Sequence, residues 1–179
     1  MPLKAALARA QAGDLDAFEM VYRVTVGQVF AFSLRWEGSR GRAEDLVQDI
    51  FVRVWRALPS FRGQSTLATW IHAIAVRTAI DRARAQRPAQ HHELQFESGI
   101  LDELAGVWTP PNLDVERAIA SLPDRMRQMF VLHAIEGHSM RDIAELTGVA
   151  VGTAQSQVFR AREKLRVILG ATVHEPVER

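Results

Sequence analysis

A chain of 179 residues has room for one ordinary domain or two small helical ones. Hydrophobic residues make up 47% and charged residues 24%, the balance of a soluble globular protein, and the absence of cysteine excludes disulfides and thiolate metal sites. No apolar run approaches the roughly 18 residues needed to span a bilayer. The opening Met-Pro-Leu-Lys-Ala-Ala-Leu-Ala-Arg is too broken by charge for a signal peptide, so a cytoplasmic location without membrane insertion is expected.

Taken in order, Leu3–Ala12 reads as a short helix stopped by Gly13. Asp14 is a good N-cap for a second helix from Leu15 to about Trp36, with Phe18, Val21, Tyr22, Val29 and Phe32 on its buried face and Gly38 and Gly41 ending it. A third helix is expected from about Arg42 to Leu58. Its apolar set, Leu46, Val47, Ile50, Phe51, Val54, Trp55 and Leu58, is wide enough to want helices on two sides. The opposite face carries Asp45, Gln48, Asp49, Val52 and Arg56. An exposed Val52 among charges points to a protein partner, although such a face is also what solvent selects.

After Pro59 comes Phe61-Arg-Gly63, an aromatic loop, and then a fourth helix capped by Ser65 or Thr66. Leu67, Ile71, Ile74 and Thr78 form its buried stripe. Trp70, Arg77 and Arg84, seven apart, line up on one flank, and Arg82 and Arg87 add charge at the end. An aromatic ring beside arginines on a stiff helix suits single-stranded nucleic acid, the ring stacking on bases and the guanidinium groups following phosphates. An amphipathic helix with a solvated basic end has the same pattern.

Net charge is only +1, but from Gln90 to Glu116 there is no Lys or Arg, while Glu93, Glu97, Asp102, Glu103, Asp114 and Glu116 are acidic. Basic blocks flanking an acidic connector fit two nucleic-acid-binding modules. Arg87-Pro88 and Pro110-Pro111 bound this stretch, read as a linker over residues 88–112. Leu94, Phe96, Ile100, Leu101, Leu104 and Trp108 make it too apolar for a purely solvated tether. His91-His92 lacks a third ligand, and no metal or cofactor is expected.

The second module begins near Leu113, with helices over Asp114–Ser121 and from Pro123-Asp124 to about Glu136, broken by Gly137-His138. Ser139 caps Met140–Thr147, with Asp142 completing an approximate capping box. Gly148 to Val151 is a tight turn, and a last helix starts at Gly152 or Thr153 and stops at Gly170. Short helix, glycine turn and longer helix make the helix-turn-helix plan. In the last helix Ala154, Val158, Ala161, Leu165 and Leu169 face inward. Thr153, Gln155, Ser156, Gln157 and Phe159 are placed for base edges, and Arg160, Arg162, Lys164 and Arg166 for phosphates.

These segments together resemble the extracytoplasmic-function class of bacterial RNA polymerase sigma factors. Asp45-Leu-Val-Gln-Asp-Ile-Phe51 with Trp55 resembles that family's clamp-binding helix. Phe61-Arg-Gly63, Thr69-Trp-Ile71, Ile74-Ala75 and Ala79-Ile-Asp81 resemble its strand-melting segment. Leu122-Pro-Asp-Arg125, Glu136-Gly-His-Ser139, Asp142-Ile-Ala-Glu145, Val151-Gly-Thr153 and Phe159-Arg-Ala-Arg162 resemble its domain four.

The resemblance implies an all-α protein of two small helical domains joined by a flexible linker: sigma domain two over residues 1–87, the linker over 88–112 and sigma domain four over 113–172. It implies that Asp45, Gln48, Asp49, Val52 and Arg56 dock on core RNA polymerase. Phe61, Arg62, Gly63, Ser65, Trp70, Arg77 and Arg84 would take minus-ten DNA. Thr153, Gln155, Ser156, Gln157, Phe159, Arg160 and Lys164 would take minus-thirty-five DNA. The partners implied are core polymerase, promoter DNA as duplex and nontemplate strand, and an anti-sigma factor. The family usually has Asn at the position of Arg77 and often basic residues at those of Gln155 and Gln157, so promoter preference is expected to differ.

Two other readings remain open on the residues. An ordinary helix-turn-helix regulator leaves Asp45–Phe51 and Phe61–Arg87 unexplained. An enzyme would draw on His72, His133, His138, Asp81 or Glu136, but no motif arranges them for catalysis, and none is expected.

Overall fold

A computed structural model describes residues 3–85 and 112–172. The apolar linker residues from Leu94 to Trp108, Arg87 and the His91-His92 pair lie outside the described residues. Among those described, all regular structure is helical. Residues 3–33 and 41–85 belong to one compact unit, and 34–40 and 112–172 to a second.

The first unit is built from α1 (Leu3–Gln11), α2 (Leu15–Glu37, whose last turn clusters with the second unit), α3 (Arg40–Ala57), a 3-10 turn (Leu58–Ser60) and α4 (Leu67–Ala85). Asp14 caps α2 as expected, accepting from the Ala17 N–H at 3.0 Å. That bond, then Arg9, holds its carboxyl below the usual range. The wide apolar stripe of α3 is the centre of the core. Leu46, Ile50, Val54 and Leu58, spaced by four, are each 0% exposed, so each side chain's burial contributes about 1.5–3 kcal/mol. Aromatic edges lock α2 to α3: Phe18 meets Trp55 with ring centroids 4.9 Å apart, and Tyr22 meets Phe51 at 4.6 Å.

Two boundaries in this unit differ from the expectation. Gly41 does not end α2. It lies in the first turn of α3, which begins at Arg40, and Gly38, at φ +70°, makes the break alone. Leu58 belongs to a 3-10 turn because Pro59 has no N–H to continue the α-helical ladder. On α4, Ile71 and Thr78 are buried with Ala75, Val76, Ala79 and Ile80, while Leu67 and Ile74 are half-buried. The buried stripe is therefore rotated toward the small residues Ala75 and Ala79. Thr78 meets its burial by donating to the Ile74 carbonyl at 2.7 Å.

The second unit contains α5 (Leu113–Ala120), α6 (Asp124–Phe130), a π turn (Val131–Ile135), α7 (Met140–Thr147) and α8 (Val151–Thr172), with α5, α6 and α7 packed on α8. Asn112, expected as the last linker residue, caps α5: its side-chain oxygen accepts from the N–H groups of Asp114 and Val115 at 3.1 and 3.2 Å. The helix expected to run from Asp124 to Glu136 widens after Phe130, where Glu136 N–H reaches back to the Val131 carbonyl at 3.0 Å. The widened turn brings His133 Nδ1 to 3.0 Å from the His138 carbonyl. Arg127 is 2% exposed; it donates to the Leu122 carbonyl at 2.7 Å and to Asp124 at 2.6 Å, so its buried charge is hydrogen-bonded.

Candidate polymerase-docking and nucleic-acid surfaces

Three surfaces carry the residues that the sequence points to. On the first, the outer side of α3, Gln48, Asp49, Val52 and Arg56 are exposed and Asp45 is half-buried. Val52 keeps 49% of its surface in water, as the helical spacing requires once Leu46, Ile50 and Val54 face the core. Helical spacing assigns this face to α3 alone, but in the structure it is tied to α4. Arg82 Nη1 lies 3.0 Å from Asp49 Oδ2, and Arg82 Nη2 lies 3.7 Å from Asp45 Oδ2. One turn along, Arg53 Nη1 donates to Asp81 Oδ2 at 2.8 Å.

The second surface is the loop between the 3-10 turn and α4. Gly63, at φ +71°, folds the chain back, a conformation that L side chains rarely adopt. Thr66, not Ser65, supplies the cap: its Oγ1 accepts from the Thr69 N–H at 3.1 Å. The turn sets the Phe61 ring 5.0 Å from that of Trp70 at 47°. Ser60, Phe61, Arg62, Gln64, Ser65 and Trp70 line a recess of about 320 Å³. Of the seven residues expected to take minus-ten DNA, four therefore line one recess, Gly63 shapes it, and Arg77 and Arg84 are exposed farther along α4.

Gln11 on α1 braces this loop, a contact that the sequence does not reveal. Its side-chain amide donates to the Phe61 carbonyl at 2.7 Å and to the Leu58 carbonyl at 3.2 Å, tying the loop to the bundle. Nothing local in the sequence announces a contact spanning fifty residues. Gln64 and Ser60 are missed as well, since polar loop residues carry no periodic signal.

The third surface belongs to α7, its turn and α8. The capping box at Ser139 is complete: Asp142 N–H donates to Ser139 Oγ at 3.2 Å and Ser139 N–H to Asp142 Oδ2 at 3.0 Å. Hydrogen bonds from Ser139, side chain first and backbone second, hold the Asp142 carboxyl below its usual range. Gly148, at φ +68°, ends α7 in the left-handed conformation. Helix α8 begins at Val151, before the Gly152 or Thr153 expected, and passes through Gly170. The Ala150 carbonyl supplies the first turn's acceptor, and a glycine inside a helix costs only about 1 kcal/mol.

Ala154, Val158, Ala161 and Leu165 are buried, and Leu169 is half-buried. Thr153, Gln155, Ser156, Phe159, Arg160 and Lys164 are exposed and Gln157 is half-buried. Phe159 is 65% exposed. Ser156 donates to the Thr153 carbonyl at 3.0 Å. Arg166 is turned to Glu163, at 2.6 Å.

Of the candidate acid-base residues, the His72 ring sits edge-on to Phe32, 5.4 Å away, and Asp81 is paired with Arg53. Among the described residues no three His, Asp or Glu side chains converge as metal ligands do, and no helix is long and apolar enough to cross a membrane.

Comparison with known proteins finds two family matches, Sigma-70 region 2 over residues 21–89 and Sigma-70, region 4 over residues 112–165. The chain is similar to the ECF RNA polymerase sigma-E factor of Haemophilus influenzae, at 35% identity over 90% of this chain and 92% of that one. It is 35% identical to the sigma-E factor of Escherichia coli over 88% of each chain. The ECF sigma factor SigW of Bacillus subtilis is 28% identical over 93% of this chain and 96% of that one. Among solved structures, the sigma factor RpoE of Bartonella quintana, crystallised with the anti-sigma factor NepR, has the same fold at a TM-score of 0.50 and 24% identity, covering 90% of this chain and 98% of that one.

Proposed function

The chain belongs to the extracytoplasmic-function sigma factors of RNA polymerase, and from that premise we propose how its surfaces divide the work of starting transcription. Residues 1–87 act as sigma domain two, 88–112 as the linker and 113–172 as sigma domain four. In the first domain Asp45, Gln48, Asp49, Val52 and Arg56 dock on core polymerase, two carboxylates steering toward a basic surface and Val52 supplying apolar contact. The Phe61–Trp70 recess takes a base turned out of the nontemplate strand. Unstacking costs a few kcal/mol, and stacking on an aromatic face returns about 1–3 kcal/mol per base. Arg77 and Arg84 follow the strand's phosphates.

In the second domain α8 enters the major groove of the minus-thirty-five element with its N-terminal end foremost, as helix-turn-helix proteins do. Thr153, Gln155, Ser156, Gln157 and Phe159 face base edges, and Arg160 and Lys164 the backbone. The work is binding work, not catalysis by this chain. It takes place in the cytoplasm and is held in check by an anti-sigma factor, a partner of the kind with which the Bartonella sigma factor was crystallised.

The observation that carries this reading is the exposed aromatic recess joined to α4, in the same unit as the exposed acidic and apolar face of α3. A free-standing operator-binding regulator has use for α7 and α8 but for neither of those. The test is run-off transcription with purified core polymerase on a library of cellular promoters. Added protein is expected to produce discrete promoter-dependent transcripts; none from an active core would overturn the proposal.

A further inference from the structure

Arg82 comes from the helix that carries the nucleic-acid face, yet it ends among the carboxylates assigned to docking. Its Nη1 is 3.0 Å from Asp49 Oδ2 and its Nη2 is 3.7 Å from Asp45 Oδ2. The Arg82 side chain is 20% exposed, against 43% for Asp45 and 59% for Asp49. The Arg82 side chain is therefore set deeper than those of the two aspartates it serves. Asp81, its neighbour on α4, pairs with Arg53 of α3 at 2.8 Å, so adjacent residues of one helix answer opposite charges on the other. Asp45 and Asp49, four apart on α3, repel each other, and Arg82 offsets that repulsion in the free protein.

Resting on the docking assignment above, we infer that Arg82 is a built-in competitor for the polymerase: an internal counter-ion that lowers docking affinity. A cation arriving at Asp49 finds one carboxylate oxygen already accepting from Arg82. It also meets the positive charge of Arg82 a few ångströms behind the acid. Docking is then an exchange of one ion pair for another, not the filling of an open acidic site. The net gain is the difference between two exposed or half-exposed pairs, which is small and sensitive to salt. Arg82 sets the strength of polymerase capture without itself belonging to the interface.

The test measures affinity for purified core polymerase by competition against a labelled sigma factor at several salt concentrations. Arg82→Gln is expected to bind core tighter by roughly two- to fivefold, with a steeper salt dependence. Arg82→Lys, which keeps the charge, is expected to stay near wild type. Unchanged or weaker binding by Arg82→Gln, at wild-type helical content and Tm, overturns the inference, and so does equal tightening by Arg82→Lys. If Arg82→Gln loses helical content, Arg82→Met keeps the apolar stem without the charge and takes its place under the same criteria. Asp49→Lys separates this idea from the one beneath it: core binding indifferent to Asp49→Lys removes the docking assignment. Loss on Asp49→Lys beside no gain on Arg82→Gln removes only the competitor.

Discussion

Gln11 of α1 donates its side-chain amide to the main-chain carbonyl of Phe61 at 2.7 Å. Through this bond the first helix holds the loop that presents the aromatic recess. Removing it leaves a half-buried carbonyl without this donor and lets Phe61 drift from Trp70. Gln11→Ala is expected to reduce promoter opening by roughly two- to tenfold, read as permanganate reactivity of unpaired thymines. Affinity for core polymerase should stay near wild type, because α3 is untouched. Equal opening by the variant would show that the loop is positioned by other means.

Trp70 is the larger wall of that recess, its ring 5.0 Å from Phe61. Trp70→Ala is expected to weaken capture of the nontemplate strand by about 1–3 kcal/mol, while Trp70→Phe keeps most of it. The measurement is binding of holoenzyme to a fork-junction DNA with an unpaired minus-ten strand. A strand affinity indifferent to Trp70→Ala would rule out stacking in this recess.

Asp49 is exposed and contributes no core packing, so Asp49→Lys should keep the far-ultraviolet circular dichroism of the wild type. It should weaken core binding by roughly tenfold or more, since a docking carboxylate becomes a like charge for a basic partner surface. Undiminished affinity would move the docking face elsewhere.

Much of this is legible in sequence because periodicity and capping are local. The four-residue spacing of Leu46, Ile50, Val54 and Leu58 dictates which side of α3 is buried, and hence that Val52 faces out. Ser139 and Asp142 identify the start of α7 from two residues. What escapes is carried by contacts between segments distant in the chain. Gln11 on the Phe61 carbonyl and Arg82 on Asp49 leave no mark on the neighbours of any of those residues. In α4 alone Arg82 is a charge near a helix end, because one helix says nothing about which helix lies beside it. The early start of α8 escapes for a different reason: a glycine near a helix end reads as a boundary, yet the Ala150 carbonyl lets the helix begin before Gly152.

The capping box of α7 has a pH signature with a definite sign. The Asp142 carboxyl titrates below its ordinary value of 3.8 in the folded chain, chiefly through Ser139. A carboxyl depressed on folding stabilises the fold above its unfolded pKa and ceases to do so as pH falls through the folded value. The stabilisation is therefore complete at neutral pH and fades below about pH 4. Ser139→Ala is expected to cost about 1 kcal/mol at neutral pH, measured by urea unfolding. That difference from wild type should shrink as pH is lowered into the acid range, and a difference constant with pH would mean that the Asp142 bond adds nothing to the cap.

Promoter choice is expected to turn on Gln155. It is exposed in the first turns of α8, where a recognition helix meets base edges, and its neighbours Thr153 and Ser156 are exposed with it. A glutamine amide pairs with N6 and N7 of adenine, whereas arginine pairs with O6 and N7 of guanine. Gln155→Arg should therefore shift the preferred base at one upstream position from adenine to guanine. A good bidentate pair discriminates by about 1–3 kcal/mol. Arg160→Ala, farther along the same face, should weaken the upstream element by a similar amount, about 1–3 kcal/mol. Binding of holoenzyme to a randomised upstream library, at two salt concentrations, reads both variants together. A base preference changed at one position with Gln155→Arg assigns the residue to a base edge. Uniformly tighter binding to all sequences, with a steeper salt dependence, would instead place residue 155 against the phosphate backbone and leave base choice to Thr153, Ser156 and Phe159.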